Sequence, residues 1–166
     1  MLVGRPYGGT GILYNRKLSK YVTHVKVKNS RCTAVVLKSN NCAVLLVSVY
    51  MPNDYGDSES LENYIDVCAC ISAMFEESDV SQLLIAGDFN CQPGSRFFNI
   101  FESFANDHNL CQTDLNKLNN AFTYCNDAGT ATSWIEHVLC SQFINRHIST
   151  CMPISWSVVF LSVHSV

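Results

Sequence analysis

The sequence predicts a single domain of the α/β class (α+β), with strands in the majority. Three observations lead there. Residues 21–28 alternate apolar and polar side chains, the period of a half-buried strand. Leu61, Tyr64, Ile65, Cys68, Ile71 and Phe75 recur at the three- and four-residue spacings of one helix face. Leu83-Leu-Ile-Ala-Gly87 is a short apolar run closed by glycine, as expected of a buried strand.

The elements follow in order. A glycine-rich opening leads into Gly11-Ile-Leu-Tyr14, read as a short strand, and then into the alternating segment 21–28. Residues 31–37 and 43–50 are rich in Val, Leu and Ala, and the second is apolar enough for a central strand covered on both faces. Lys38-Ser-Asn-Asn41 between them is a hairpin turn. Pro52, Asn53, Asp54 and Gly56 mark a loop before the first helix, whose opening Glu59 and Glu62 suit the positive end of its dipole. The strand 82–87 ends in Asp88-Phe-Asn90, and Pro93-Gly94 breaks the chain. Phe97, Phe98, Phe101 and Phe104 then mark a second amphipathic helix. Residues 121–125 and 133–141 read as strands joined by the turn Asn126-Asp-Ala-Gly129, and 148–151 and 158–161 as the last strands.

At 166 residues, one domain occupies the whole chain, 1–166. A 48% hydrophobic, 15% charged composition excludes intrinsic disorder. No window reaches 18 consecutive apolar residues, and the start has no apolar secretory core, so no membrane association is expected. The nine cysteines are odd in number, lie mostly in apolar runs and include no Cys-x-x-Cys pair. This argues against a disulfide scaffold, a zinc knuckle or a redox module, and for buried thiols in an intracellular, reducing compartment, nucleus or cytoplasm. The net charge of −3 hides an asymmetry: eight of eleven basic residues precede position 39, and no acid precedes Asp54. One end can meet a polyanion while the other hosts carboxylate chemistry, although a solvated strand surface has the same composition.

Four places can carry chemistry. Asp88 and Asn90 end a buried strand, and residues two apart on extended chain point the same way. The carboxylate can take a proton from water while the amide holds that water and a phosphate oxygen. An ordinary Asp-x-Asn turn has the same residues. In Val49-Tyr-Met-Pro-Asn53, Tyr50 closes a strand and Asn53 sits in the next loop; a core aromatic before a proline turn reads alike. In Ser133-Trp-Ile-Glu-His-Val-Leu139, alternation puts Trp134, Glu136 and Val138 on one face, and Ile135, His137 and Leu139 on the other. A Glu sharing an inward face with Trp and Val is functional, or else that face is exposed. The last place is Leu161-Ser-Val-His164, where the histidine is near the terminus.

Together these segments resemble the endonuclease/exonuclease/phosphatase superfamily, and within it the apurinic-type endonuclease domains of non-LTR (LINE-type) retrotransposons. Gly4-Arg-Pro-Tyr-Gly-Gly-Thr-Gly-Ile-Leu-Tyr14 resembles the family's glycine-rich strand entry, Val49-Tyr-Met-Pro-Asn53 its tyrosine loop, and Ala86-Gly-Asp-Phe-Asn90 its GDxN signature. Phe122-Thr-Tyr124 and Ser133-Trp-Ile-Glu-His-Val-Leu139 resemble its late strand pair. The resemblance implies a four-layer α/β sandwich with the site at one rim, DNA as partner, no stable protein partner, and Mg²⁺- or Mn²⁺-assisted phosphodiester hydrolysis. It implies that Asp88 orients or deprotonates water and touches the metal, Asn90 fixes that water, and Tyr50 and Asn53 hold the phosphate. His164 then stabilises the charged transition state, oriented by an acid at position 136.

The sequence departs from the family in three ways. It begins downstream of the family's first-strand Asn and metal-binding Glu, so the expectation is an N-terminally truncated domain missing its first strand region. Glu136 stands where the family has Asp, carrying its carboxylate about 1.5 Å farther out. Val163 stands where the family has a metal-binding Asp. The expectation is therefore a retrotransposon-type phosphodiesterase ancestry with catalysis impaired, or alternatively a non-catalytic, nucleic-acid-binding remnant.

Overall fold

A computed structural model describes residues 9–40, 42–118, 122–126, 128–154 and 158–163, with side chains as far as Ser149. Its strands are β1 (Val22–His24), β2 (Cys32–Lys38), β3 (Ala43–Tyr50), β4 (Gln82–Asp88), β5 (Leu110–Gln112), β6 (Tyr124–Cys125), β7 (Thr132–Ser133), β8 (Glu136–Ser141), β9 (Ile148–Ile154) and β10 (Val158–Val163). Its helices are α1 (Ser58–Glu77), α2 (Arg96–Asp107), α3 (Thr113–Lys117) and α4 (Gln142–His147). The fold class is mixed α/β, as the alternating and helical periods predict.

Among the described residues, six strands form one sheet in the order β1-β2-β3-β4-β8-β5. Only β3 and β4 run parallel, because the crossover between them contains α1. Alternation along the central strands sorts their side chains between two cores. Leu45, Val47 and Val49 of β3, Leu83 and Ile85 of β4, and Leu139 of β8 face α1 and α2. These helices answer with Tyr64, Val67, Ile71 and Met74, and with Phe97, Phe98, Phe101 and Phe104. Val44, Leu84 and Cys140 face the other way, into a smaller core with Ile144 and Ile148. The antiparallel β9–β10 pair and α4 lie over that second face, β10 against β4 and β8.

α1 starts where Asp57 accepts the Ser60 N–H at 2.8 Å. Ser95 caps α2 in the same way, accepting from Phe98. Arg96 joins the two helix starts, reaching Asp54 Oδ1 at 2.6 Å and the Asp57 carbonyl at 3.1 Å. The 38–41 turn is closed by a bond from the Ser39 N–H to the Cys42 carbonyl, with Asn41 itself outside the described residues.

Several expectations need correction. Residues 11–14 form no strand: they lead into a 3-10 helix at Arg16–Tyr21, and Leu13 lies fully in solvent. Asn15 starts that helix by accepting the Lys17 N–H. The strand read at 21–28 pairs only over Val22–His24, although Val25 and Val27 still pack on the first core. The strand read at 133–141 is two strands. Thr132–Ser133 pairs with Tyr124–Cys125, while Glu136–Ser141 joins the main sheet. The break falls where Thr123 Oγ1 accepts the N–H groups of both Ile135 and Glu136 at 3.0 Å. The elements β5, α3 and α4 were not expected, since six residues or fewer hold too little of a period to read. Of the eight cysteines with described side chains, only Cys32, Cys91 and Cys140 are buried, and Cys125 is exposed. No helix among the described residues is long and apolar enough to cross a membrane.

Candidate active site

Three of the expected residues fall in one row. In the parallel β3–β4 pair Tyr50 is the partner of Asp88, and in the antiparallel β4–β8 pair Asp88 is the partner of Glu136. Direct cross-strand partners share a face, so Tyr50, Asp88 and Glu136 stand side by side on three adjacent strands. They lie on the face away from α1 and α2, because their neighbours Val49 and His137 turn toward those helices.

The row stands at the rim because β3 and β4 end together. Past Tyr50 the Met51 N–H still bonds to the Asp88 carbonyl at 2.8 Å, and Pro52 stops further pairing. Gly87 makes the approach possible. Its φ is +148°, and a Cβ there would collide with the Val49 carbonyl oxygen. The Gly before Asp88 is thus a demand of backbone packing.

Asp88 Oδ1 accepts the Asn90 N–H at 2.8 Å. Burial pushes its carboxyl up to about 6, against the opposing pulls of that backbone bond and of His137. Asn90 does not continue the strand as expected. It sits at φ +48°, and its Nδ2 donates to the Met51 carbonyl at 2.7 Å. The turn geometry read as the alternative is therefore present, with the amide binding the end of β4 to the end of β3. Tyr50 receives Arg31: the guanidinium lies 5.7 Å from the ring centroid and donates to the Tyr50 carbonyl at 3.2 Å. Asn53 is exposed, with its Nδ2 3.5 Å from the Tyr55 hydroxyl. Tyr50, Asn53, Arg31, Tyr55 and Ser60 line a cleft of about 670 Å³. Glu136 is buried at 4% exposure, so its face is inward.

His164 lies outside the described residues. The backbone of Val163 pairs with Ile148 after an irregularity in register between Ser162 and Val163.

Behind the row lies a network that sequence reading missed. Asp114, 2% exposed, accepts from Trp134 Nε1 at 3.0 Å, from the Val138 N–H at 2.9 Å and from His137 Nδ1 at 2.8 Å. His137 Nε2 donates to the Cys91 carbonyl at 2.8 Å, so the ring ties β8 to the loop after Asn90. Phe101 packs beside it, with ring centroids 4.8 Å apart. The signal in the sequence was His137 sharing an inward face with Leu139, which calls for a partner. The partner is 23 residues away, too far to be named from spacing.

The set places two carboxylates and a tyrosine along a rim, next to an arginine and a cleft. Among the described residues, no three His, Cys, Asp or Glu side chains converge to hold a metal ion.

No protein-family model matches the sequence, and no curated protein matches it. Solved structures do resemble the fold. The endonuclease domain of TRAS1, a telomere-specific non-LTR retrotransposon, superposes with a TM-score of 0.69 at 10% identity, over 92% of this chain and 72% of that one. The Neisseria 3′ phosphatase NExo bound to a product DNA hairpin gives 0.65 at 15% identity, over 83% of this chain and 66% of that one. An endonuclease/exonuclease/phosphatase family protein from Leptotrichia buccalis gives 0.51 at 10% identity, over 81% of this chain and 53% of that one. The chain thus spans between about half and three quarters of the length of these structures.

Proposed function

Because the chain has the fold of the endonuclease/exonuclease/phosphatase structures, a fold shared with nucleases and phosphatases, we propose that its rim is a phosphodiester-recognising site of the retrotransposon-endonuclease type, acting on DNA, with catalysis impaired. The observation that carries this reading is the in-register row of Tyr50, Asp88 and Glu136 on three strands. Roles follow from chemistry and position. Asp88, whose carboxyl burial lifts to about 6, accepts a proton from water in its ionised form. Asn90 keeps the Asp88 turn closed against β3. Tyr50 and Asn53, lining one cleft with Arg31, offer a hydroxyl, an amide and a cation to a phosphate. Glu136 serves to orient a histidine at position 164.

A divalent cation, Mg²⁺ or Mn²⁺, would neutralise phosphate oxygens and acidify bound water. Asp88 is the residue that would hold it, and one of its oxygens is already engaged by Asn90. A valine at position 163 adds no oxygen donor. Mg²⁺ is held by one or two carboxylates, with phosphate oxygens and waters completing its shell, and Asp88 alone, with one oxygen already engaged, fits such an ion poorly.

The test is nicking of supercoiled and abasic plasmid DNA in Mg²⁺ or Mn²⁺. The expected result is no nicking above a no-protein control, and none for Val163→Asp alone. Robust nicking by the unaltered chain, abolished by Asp88→Ala, would overturn the impairment and leave an active endonuclease.

A further inference from the structure

The cations of the first third are not scattered over the surface. Val22 pairs with Leu37 and His24 with Val35, so the 3-10 helix Arg16–Tyr21 reaches the edge of the sheet beside Lys38. Past β1 the chain continues antiparallel to β2, with the Val25 N–H on the Ala34 carbonyl at 3.1 Å. Lys26 and Lys28 therefore lie toward the opposite end of β2, where Arg31 precedes it. That end is the site end: the Tyr50 N–H bonds to the Arg31 carbonyl at 3.0 Å, and the guanidinium lies against the Tyr50 ring. Between the two ends, β2 spans roughly 20 Å.

This edge carries one sign of charge. Arg16, Lys17, Lys20, Lys26, Lys28 and Lys38 are all exposed, and among the described residues none of them meets a carboxylate. No acid stands anywhere before Asp54 in the sequence. Two aromatic rings are interleaved with the cations: Tyr14 at 38% and Tyr21 at 37% exposure, with Lys20 Nζ 4.7 Å from the Tyr21 centroid. Exposed cations at both ends of one sheet edge, with open rings among those at the 3-10 helix, match a strand of phosphates bearing stackable bases.

We propose that the β1–β2 edge is a docking track for the phosphate backbone of a nucleic-acid strand, running from the 3-10 helix to Arg31 and delivering the strand at the Tyr50–Asp88 rim. Only the delivery rests on the phosphodiester reading of the rim; the track itself stands on charge, exposure and register. Single-stranded nucleic acid suits it best, because the rings are open for stacking and a groove for duplex is not needed.

Fluorescence anisotropy with a labelled single-stranded 20-mer tests it on the full chain. Binding should weaken with added salt with a slope of log K against log[salt] of about −3 to −5, at about 0.7 for each phosphate contact. The variant Lys20→Gln/Lys26→Gln/Lys28→Gln/Lys38→Gln should bind at least tenfold more weakly, with the slope reduced by about 3. All four residues are exposed, so the melting temperature should hold; if it falls, the single variants Lys26→Gln and Lys38→Gln decide, each lowering the slope by about 0.7. Wild-type affinity in the charge variants, no binding by the parent at low salt, or preference for anionic phospholipid vesicles over the 20-mer would each overturn the track. A chain that binds DNA through these lysines yet is indifferent to changes at the rim supports the track while removing the phosphodiester reading. A chain that nicks DNA but ignores these lysines does the reverse.

Discussion

At the residue scale, Asp88 illustrates how burial sets chemistry. Its carboxyl rises from 3.8 to about 6, first because burial disfavours the anion, with the Asn90 N–H and His137 pulling it back. The folded chain thus holds this proton more tightly than the unfolded chain. The stability gained is complete below about pH 4 and is lost as pH rises through about 6, a swing of roughly 2–3 kcal/mol. Asp88→Asn keeps the shape and can still accept the Asn90 N–H. In metal-free buffer it should be more stable than the parent by about 2 kcal/mol at pH 7.5, with the difference gone at pH 4. Urea denaturation at the two pH values measures this, and an equal gain at both would show that the charge is not what burial penalises. The identity of Asp88 as a candidate was legible because Gly-Asp-x-Asn closes an apolar run. The bond of Asn90 to the Met51 carbonyl was not, because it joins residues 39 apart.

At the element scale, β8 is held to its surroundings by polar groups that no neighbouring strand supplies. Asp114 takes three donors, two of them side chains of residues 134 and 137 and one the backbone N–H of Val138. Asp114→Ala leaves these donors buried and unmatched, and should cost about 3–5 kcal/mol, read as a lower urea midpoint. Asp114→Asn, which keeps an acceptor, should cost visibly less. If the two variants match, the network carries no stability. The surface bridge of Arg96 to Asp54 is a contrast. It is short at 2.6 Å but about a third exposed, and is worth no more than about 1 kcal/mol. The long, strongly periodic elements β2, β3, α1, β4 and α2 were all legible. The strand read across 133–141 was not, since alternation continues through Trp134 and Ile135 while the N–H groups of Ile135 and Glu136 turn to the Thr123 hydroxyl.

At the scale of the whole molecule, the sheet has two unequal sides. Leu83 is fully buried in the large core under α1 and α2, while its neighbour Leu84, 8% exposed, faces the small core under α4 and Ile148. Leu83→Ala should therefore cost about 3–4 kcal/mol and Leu84→Ala about 2, and equal midpoints in urea would contradict the asymmetry. The charge is divided just as unevenly along the chain, with eight of eleven basic residues before position 39 and every carboxylate side chain from Asp54 onward. By itself, the sequence determined the mixed α/β class, the two long helices, the central strands and the candidates Tyr50, Asp88 and Glu136. Each of these follows from the period of side chains along a short stretch of chain, or from a motif that spans a few residues. Only the tertiary structure decided that Tyr50, Asp88 and Glu136 are partners in one row, that Asp114 holds His137, and that Lys26 and Lys38 fall toward opposite ends of β2. Those relations join residues far apart in sequence, and strand order and register, which no local pattern encodes, are what bring them together.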